Sequence, residues 1–144
     1  MKALILSAFL IFTSTVPWLT DFEKAQVDAR TQQKLILLNF SGSDWCAPCI
    51  LMKREVFEKE VFQNYASENL VLVRADFPRN KKNQLDAAQK AHNEKLAERY
   101  NPQGKFPLTL LLDAEGNVIK SWDGYQKETS EEFVGMLQKA LVKK

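Results

Sequence analysis

The sequence of 144 residues predicts one α/β domain of ordinary size. Three short apolar runs, KLILLNF, LVLVRADF and LTLLLD, have the length and composition of buried strands. The longer segments around them repeat apolar residues at helical spacing, and turn residues separate the two kinds of segment. Strands that alternate with helices in this way are typical of a layered α/β architecture.

Composition excludes several classes of protein. Hydrophobic residues make up 45% of the chain and charged residues 26%, which is typical of a globular domain and not of a disordered or fibrous one. The net charge of +2 offers no electrostatic argument for binding nucleic acid. Two cysteines are too few for a scaffold held together by disulfides.

Residues 1–16 are predicted to be a signal peptide. Lys2 precedes an apolar run at 3–12, and small polar residues follow it. The run is shorter than the ~20 apolar residues that cross a bilayer. We therefore expect a domain at 17–144 that is periplasmic or secreted, in an oxidising compartment, and does not span a membrane after cleavage. The alternative is that the run forms a first buried strand or helix of the domain.

The first half of the domain is predicted to begin with a helix and a strand. Thr20 and Glu23 form a capping box that places a helix start at about Asp21. The first apolar run predicts a buried strand at 35–40, and polar residues at 41–44 predict a loop after it.

Two helices and a second strand follow. A helix is predicted from about Cys46, because Pro48 is tolerated only in a first helical turn. A short helix is predicted at 59–68 and a buried strand at 70–77.

The second half is predicted to contain a helix, two strands and a final helix. A helical stripe of apolar residues predicts a helix at about 83–100, and a buried strand follows at 108–113. The alternating sequence VIKSW at 118–122 predicts an edge or hairpin strand. An amphipathic C-terminal helix then begins at a cap formed by Thr129 or Ser130.

The two cysteines, Cys46 and Cys49, are separated by two residues, and three interpretations are open. A structural zinc site needs four cysteine or histidine ligands, and His92 is the only histidine, so carboxylates or a second chain would have to complete it. His92 is better explained as a packed, hydrogen-bonded residue of the 83–100 helix than as an acid or base for the thiols. A purely structural disulfide would close so small a loop that it would stabilise the fold little.

The third interpretation, a redox-active pair, fits the spacing best. Cys46 is placed at the helix start, where unpaired backbone N–H groups and the helix dipole favour a thiolate. Cys49 lies one turn inside and is expected to be the shielded thiol. The Cys46 thiolate would then attack a substrate disulfide, and Cys49 would resolve the mixed disulfide.

The sequence WCAPC after a strand, with a proline before a later strand, resembles the thioredoxin family. The resemblance covers roughly residues 18–143. The wider stretches NFSGSDWCAPCILMKREVF and LVLVRADFPR, with DGY before the last helix, are similar to the exported, single-domain, DsbH-like branch of the family. The resemblance implies a thioredoxin fold, with a central mixed sheet of about four strands and helices on both faces, and thiol–disulfide oxidoreductase activity.

The resemblance also assigns site residues. It makes Cys46 the nucleophile and Cys49 the resolving cysteine. It implies that the backbone of Phe106 pairs with the substrate polypeptide, next to a cis-proline that faces the disulfide. The residues that shape the site are then Trp45, Ala47, Pro48 and Pro107.

Two departures from the family pattern stand out. Asn39 occupies the place of a buried aspartate that helps to deprotonate the resolving cysteine, and an amide accepts no proton at neutral pH. The lysine that often partners this aspartate aligns with Leu72. A proton relay through water, or through an exposed carboxylate such as Asp44, is therefore expected. The stretch 76–107 is also longer than in plain thioredoxins, and its helix would either form a wall of the substrate groove or only cover the sheet.

The direction of electron flow stays open at this stage. The dipeptide between the cysteines is apolar and lacks the histidine common in the family's strong oxidants and isomerases, which favours a reductase of protein or peptide disulfides. Disulfide oxidation or isomerisation is the alternative, and a client-binding or assembly factor is the alternative from another class. The redox group is the Cys46–Cys49 pair, so no cofactor and no metal are expected. An unidentified redox donor and a monomeric state are expected.

Overall fold

The computed structural model describes residues 15–142. All but two residues of the predicted signal peptide lie outside the described residues, and its cleavage stays a prediction. No helix among residues 15–142 is long and apolar enough to cross a membrane.

A mixed five-stranded sheet forms the centre of the fold, in the order β1-β3-β2-β4-β5. Strands β1, β3 and β2 run parallel, while β4 and β5 are antiparallel to their neighbours. The prediction of about four strands is confirmed with one addition, the two-residue β1, which no apolar run in the sequence indicates. The strands are β1 Trp18–Leu19, β2 Leu35–Ser41, β3 Leu70–Asp76, β4 Leu108–Leu112 and β5 Val118–Asp123.

Helices cover both faces of the sheet, as the resemblance implies. They are α1 Phe22–Gln32, α2 Ala47–Met52, α3 Glu60–Asn69, α4 Ala87–Tyr100 and α5 Ser130–Val142. Helix α2 continues into a π-helical turn at Lys53–Phe57, and a 3₁₀ turn at Lys81–Asn83 precedes α4.

Side-chain caps mark the starts of α1 and α5. The predicted capping box at Thr20 is wrong, because Asp21 is the N-cap of α1 and its carboxylate accepts a hydrogen bond from the backbone N–H of Lys24 at 2.9 Å. The prediction at the C-terminal helix is confirmed for Thr129, whose hydroxyl oxygen accepts from the N–H of Glu132 at 3.1 Å.

The helix predicted from residue 83 begins later. Asp86 is the N-cap of α4, and its carboxylate accepts from the N–H of Gln89 at 2.8 Å. The 3₁₀ turn at Lys81–Asn83 is therefore separated from α4 by a short extended segment. This separation leaves residues 77–86 as a loop beside the end of β3.

Alternation along the central strands divides the apolar side chains between two cores. Leu37 faces the core under α2, α3 and α5, whereas Leu38 faces the core under α1 and α4. Phe57, which is 1% exposed, lies among the aromatic rings of the first of these cores, 5.0 Å from Trp18 and 5.1 Å from Phe62 between ring centroids. Burying an aromatic ring of this size contributes roughly 1.5–3 kcal/mol.

The sheet topology brings the cysteine pair and Pro107 close together, because the end of β2 lies beside the start of β4. Phe40, near the end of β2, pairs with Leu108, the first residue of β4. The loop that leaves β2 and the loop that enters β4 therefore meet at one edge of the sheet. This edge carries the cysteines and Pro107.

Candidate active site

The two cysteines form a disulfide at the start of α2, with the sulfur atoms 2.10 Å apart. Cys46 is the N-cap of the helix, and its Sγ accepts a hydrogen bond from the backbone N–H of Cys49 at 3.3 Å. Pro48 lies in the first turn, where its missing N–H costs no helical hydrogen bond. Ala47 and Pro48 are exposed, while each cysteine is 4% exposed, so exposure alone does not distinguish the two thiols in the oxidised state.

Trp45 is held beside the disulfide by the loop that leaves β2. Its Nε1 donates a hydrogen bond to the carbonyl oxygen of Phe77 at 2.7 Å. Gly42 is required here, because a Cβ at that position would lie 2.3 Å from Cε2 of the Trp45 ring. The lack of a side chain at Gly42 therefore leaves the space in which the tryptophan packs.

Phe106 and Pro107 approach the same edge from β4, and the peptide bond between them is cis, as the resemblance implies. The ring of Phe106 contacts Trp45 and Phe77 edge-on, with centroids 5.4 Å and 5.5 Å apart. The Pro107 carbonyl oxygen accepts from the N–H of Gly124 at 2.9 Å, which ties the loop to the end of β5. Three aromatic rings thus form one surface beside the cysteines.

A family model described as thioredoxin-like matches residues 17–114. The chain belongs to the thioredoxin-like family. It is 30% identical over 131 residues to the disulfide bond reductase DsbH of Chlamydia pneumoniae, a match that covers 91% of this chain and 76% of that protein. The thioredoxin-related protein DsbJ of the same organism is 24% identical over 81% of this chain, which spans only 33% of that longer protein.

Solved structures agree with the thioredoxin-like assignment. A structure described as DsbH oxidoreductase superposes with a TM-score of 0.83 at 26% identity, covering 100% of this chain and 96% of that chain. A thioredoxin from Thermus thermophilus has a TM-score of 0.65 at 16% identity and 90% coverage of both chains, which shows the fold alone. With its two cysteines at bonding distance, this thioredoxin-like protein is a thiol–disulfide oxidoreductase.

Asn39 lies on the face of β2 that α2 covers, and it is 3% exposed. Its amide nitrogen donates to the hydroxyl oxygen of Thr109 at 3.1 Å, and that hydroxyl donates to the sulfur of Met52 at 3.9 Å. This chain of contacts runs under α2. A role for Asn39 in proton relay stays a prediction.

The neighbour of Asn39 on the next strand is a basic residue. Strand register pairs Asn39 with Arg74, and Leu72 lies two residues away opposite Leu37. The guanidinium carbon of Arg74 lies 4.1 Å from the centroid of the Trp18 ring. A basic side chain therefore lies on the strand next to Asn39, on the sheet face that α2 covers.

Burial gives Arg74 an unusual environment. Its Nε is buried without a hydrogen-bond partner among the described residues. Desolvation lowers the pKa of Arg74, and the negative charges of Asp76 and Glu58 oppose that effect. The sheet face under α2 thus carries a fixed positive charge and no buried carboxylate among residues 15–142.

Asp44 organises the loop after β3. Its carboxylate accepts hydrogen bonds from the backbone N–H groups of Arg79 and Asn80, both at 2.9 Å, and from the side-chain amide of Asn83 at 3.0 Å. The bond from the Arg79 N–H is the largest of the effects that lower the pKa of Asp44. These bonds stabilise the ionised carboxylate and so count against the proton-relay role predicted for it.

Several residues near the disulfide could not be assigned to the site from the sequence WCAPC. Asp76 accepts from both the N–H and the hydroxyl of Ser43, at 2.9 Å and 2.5 Å, which joins the end of β3 to the loop before the cysteines. Arg79 places its guanidinium carbon 3.6 Å from the centroid of the Trp45 ring. The only sequence signal for these contacts is the polar, basic run PRNKKN directly after a buried strand.

One group of metal-ligand side chains occurs among residues 15–142, formed by Asp21, Glu23 and His92. Asp21 caps α1, and Nε2 of His92 accepts the N–H of Phe22 at 3.2 Å. His92 is therefore the hydrogen-bonded histidine that its position predicts. These side chains are engaged in fastening α4 to the start of α1.

Proposed function

We propose that this protein reduces disulfide bonds in exported polypeptides through a Cys46–Cys49 dithiol cycle. The observation that carries the proposal is the disulfide at the N-terminus of α2, with only Ala47 and Pro48 between the two cysteines. Neither residue offers a charge or a hydrogen-bonding side chain that would stabilise a thiolate strongly. A weakly stabilised thiolate corresponds to a low, reducing potential. The relative named disulfide bond reductase supports the same direction.

Cys46 is proposed to attack and Cys49 to resolve. The Cys46 thiolate bonds to one sulfur of the substrate disulfide and releases the other as a thiolate, which takes up a proton. Cys49 loses its proton and attacks Cys46, which releases the second substrate thiol. Two electrons pass to the substrate, and the Cys46–Cys49 disulfide forms. A dithiol donor, whose identity is unknown, must reduce that disulfide before the next cycle.

Helix geometry supports this assignment of roles. Cys46 precedes the first helical turn, and the π-helical turn after α2 extends the helical segment to Phe57. Backbone N–H groups at that end favour a thiolate on the first cysteine. Cys49 is one turn inside, towards the core that Met52 occupies.

Phe106 is proposed to bind the substrate backbone. Within residues 15–142, no hydrogen bond uses the N–H or C=O of Phe106, although it adjoins β4 at the edge of the sheet. Unpaired backbone groups of this kind can form hydrogen bonds with the backbone of a bound polypeptide. Trp45 and Pro107 would flank the bound segment.

Location and partners belong to the same proposal. The predicted signal peptide at 1–16 supports a periplasmic or secreted protein, where oxidised substrates are available. We propose a monomer that acts without a separate cofactor or metal and does not bind nucleic acid.

The reduction potential against glutathione tests the direction. A value of about −270 mV, as in thioredoxin, is expected, whereas one of about −120 mV, as in a strong oxidant, would make the protein an oxidase. Insulin reduction by the wild-type protein, with Cys46→Ala as the inactive control, tests the chemistry. A Cys46→Ala protein that kept its full cellular role would instead favour the client-binding alternative.

A further inference from the structure

The loop after β3 carries a cluster of positive charge at the site edge. Residues 78–85 contain Arg79, Lys81 and Lys82 and no carboxylate. All three cations are exposed. The hydrogen bonds to Asp44 fix this cluster in place, because that carboxylate binds the backbone of residues 79 and 80 and the side chain of Asn83.

Arg79 places its charge against the tryptophan that precedes Cys46. Its guanidinium carbon is 3.6 Å from the centroid of the Trp45 ring, and Trp45 is the residue before Cys46. An arginine on an aromatic face keeps its N–H donors directed outward in the plane of the guanidinium. The guanidinium therefore lies beside the aromatic surface that Trp45 forms with Phe77 and Phe106.

These three cations have no carboxylate partner among the described residues. Some surface cations elsewhere are paired, such as Lys24 with Asp28 and Lys105 with Asp123, both at 2.6 Å, whereas others in the described part of the chain, such as Lys95 and Lys120, are not. Within residues 15–142, no ion pair involves Arg79, Lys81 or Lys82.

The two nearby carboxylates already have hydrogen-bond donors. Asp44 accepts from the 79–83 turn, while Asp76 accepts from Ser43 and from the N–H of Phe77. These donors come from neutral groups, so Asp44 and Asp76 retain their negative charge and weaken the positive potential of the cluster. They do not, however, form direct ion pairs with the exposed cationic side chains.

We propose that Arg79, Lys81 and Lys82 form a cationic rim that selects polypeptide substrates with acidic residues beside the disulfide to be reduced. The inference rests on the proposed reductase function and adds a substrate class to it. The guanidinium of Arg79 binds a substrate carboxylate with paired N–H donors, and the two lysines attract acidic segments from further away. In this proposal the loop at residues 78–85, and not helix α4, borders the bound substrate.

The test uses two synthetic peptides, each closed by one disulfide and differing only in the residues that flank one cysteine. One carries two glutamates and the other two glutamines. Fully reduced protein is mixed with each peptide in single-turnover stopped flow, so that no external donor is needed. The readout is the ratio of the second-order rate constants for the glutamate and glutamine peptides.

The wild-type ratio is expected to be about tenfold at low salt and to fall towards one at about 0.5 M salt. The triple variant Arg79→Gln, Lys81→Gln, Lys82→Gln should bring the ratio close to one. The single variant Arg79→Lys should keep a ratio between one and the wild-type value. The matched control removes the same charge elsewhere, with Lys95→Gln, Lys120→Gln and Lys139→Gln, and should keep the wild-type ratio. The double variant Lys81→Gln, Lys82→Gln leaves the contact with Trp45 in place and should give an intermediate ratio.

A wild-type ratio near one, or an equal fall in both triple variants, would overturn the proposal and leave the loop as a solvated surface. A protein that reduces neither peptide would instead contradict the proposed function. The two failures are therefore distinguishable in the same experiment.

Discussion

Replacing Asn39 by aspartate tests how the resolving cysteine exchanges its proton. Asn39 is 3% exposed and lies under α2, with Thr109 as its hydrogen-bond partner and Arg74 opposite it on β3. The substitution adds a group that can accept a proton while it keeps the shape of the side chain.

The magnitude follows from two opposing effects on the ionised carboxylate. Burial of a carboxylate costs about 5 kcal/mol, which is a typical size for a group this far from water. Arg74 lies on the neighbouring strand, and a charge roughly 6 Å away stabilises the carboxylate by about 3 kcal/mol at an effective dielectric constant of about 20. The ionised form is then disfavoured by about 2 kcal/mol, so the pKa of the introduced carboxyl is raised.

The sign of the stability change follows from that raised pKa. Below the ordinary aspartate range the carboxyl is neutral in both the folded and unfolded states, and the variant should be nearly as stable as the wild type. As the pH rises from there through the raised pKa of the folded state, the variant should lose about 2 kcal/mol of unfolding free energy. Urea denaturation at several pH values measures this loss.

The rate of the resolving step should follow the same titration. In stopped-flow reduction of a model disulfide, Asn39→Asp should add an inflection to the pH profile above the ordinary aspartate range. Asn39→Leu, which accepts no proton, is the matched control and should keep the wild-type profile. An aspartate variant with an unchanged pH profile and a pH-independent stability difference would refute this account of the site.

Three further substitutions test how the site edge and the core are built. Gly42→Ala would place a Cβ 2.3 Å from the Trp45 ring and should lower the unfolding free energy by about 1–3 kcal/mol in urea denaturation. Gly135→Ala, with nothing within 4 Å of its Cβ, is the control and should not destabilise the protein. Equal effects of the two substitutions would contradict the role of Gly42 in making room for the tryptophan. Asp44→Ala should speed tryptic cleavage within the turn that its carboxylate holds, and unchanged cleavage would show that other contacts fix this turn. Phe57→Ala should lower the unfolding free energy by about 3–5 kcal/mol, measured by calorimetry or denaturant titration, and Phe57→Leu should lower it by less. A loss below about 1 kcal/mol for Phe57→Ala would mean that the aromatic core relaxes around the cavity.

Local sequence patterns were sufficient to predict most of the helices and strands. The buried strands are apolar runs that are long enough to be recognised in the sequence without knowledge of the strands that they pair with. Pro48 fixes a helix start because its ring excludes any later helical position. The cysteine pair is equally local, since three residues of helix bring the two sulfurs together. Strand β1 escaped prediction because two residues carry no periodicity, and its pairing with β3 depends on a neighbour far along the chain.

The sequence by itself determined the redox chemistry of this protein, because Cys46, Cys49 and Pro48 act through one turn of helix. Only the tertiary structure decided what surrounds that turn. Register between β2 and β3 placed Arg74, and not Leu72, beside Asn39, since a shift of two residues keeps the same face and leaves no trace in the apolar pattern. The contact between Arg79 and Trp45 likewise joins residues 34 positions apart, and it depends on how the loops at one sheet edge meet.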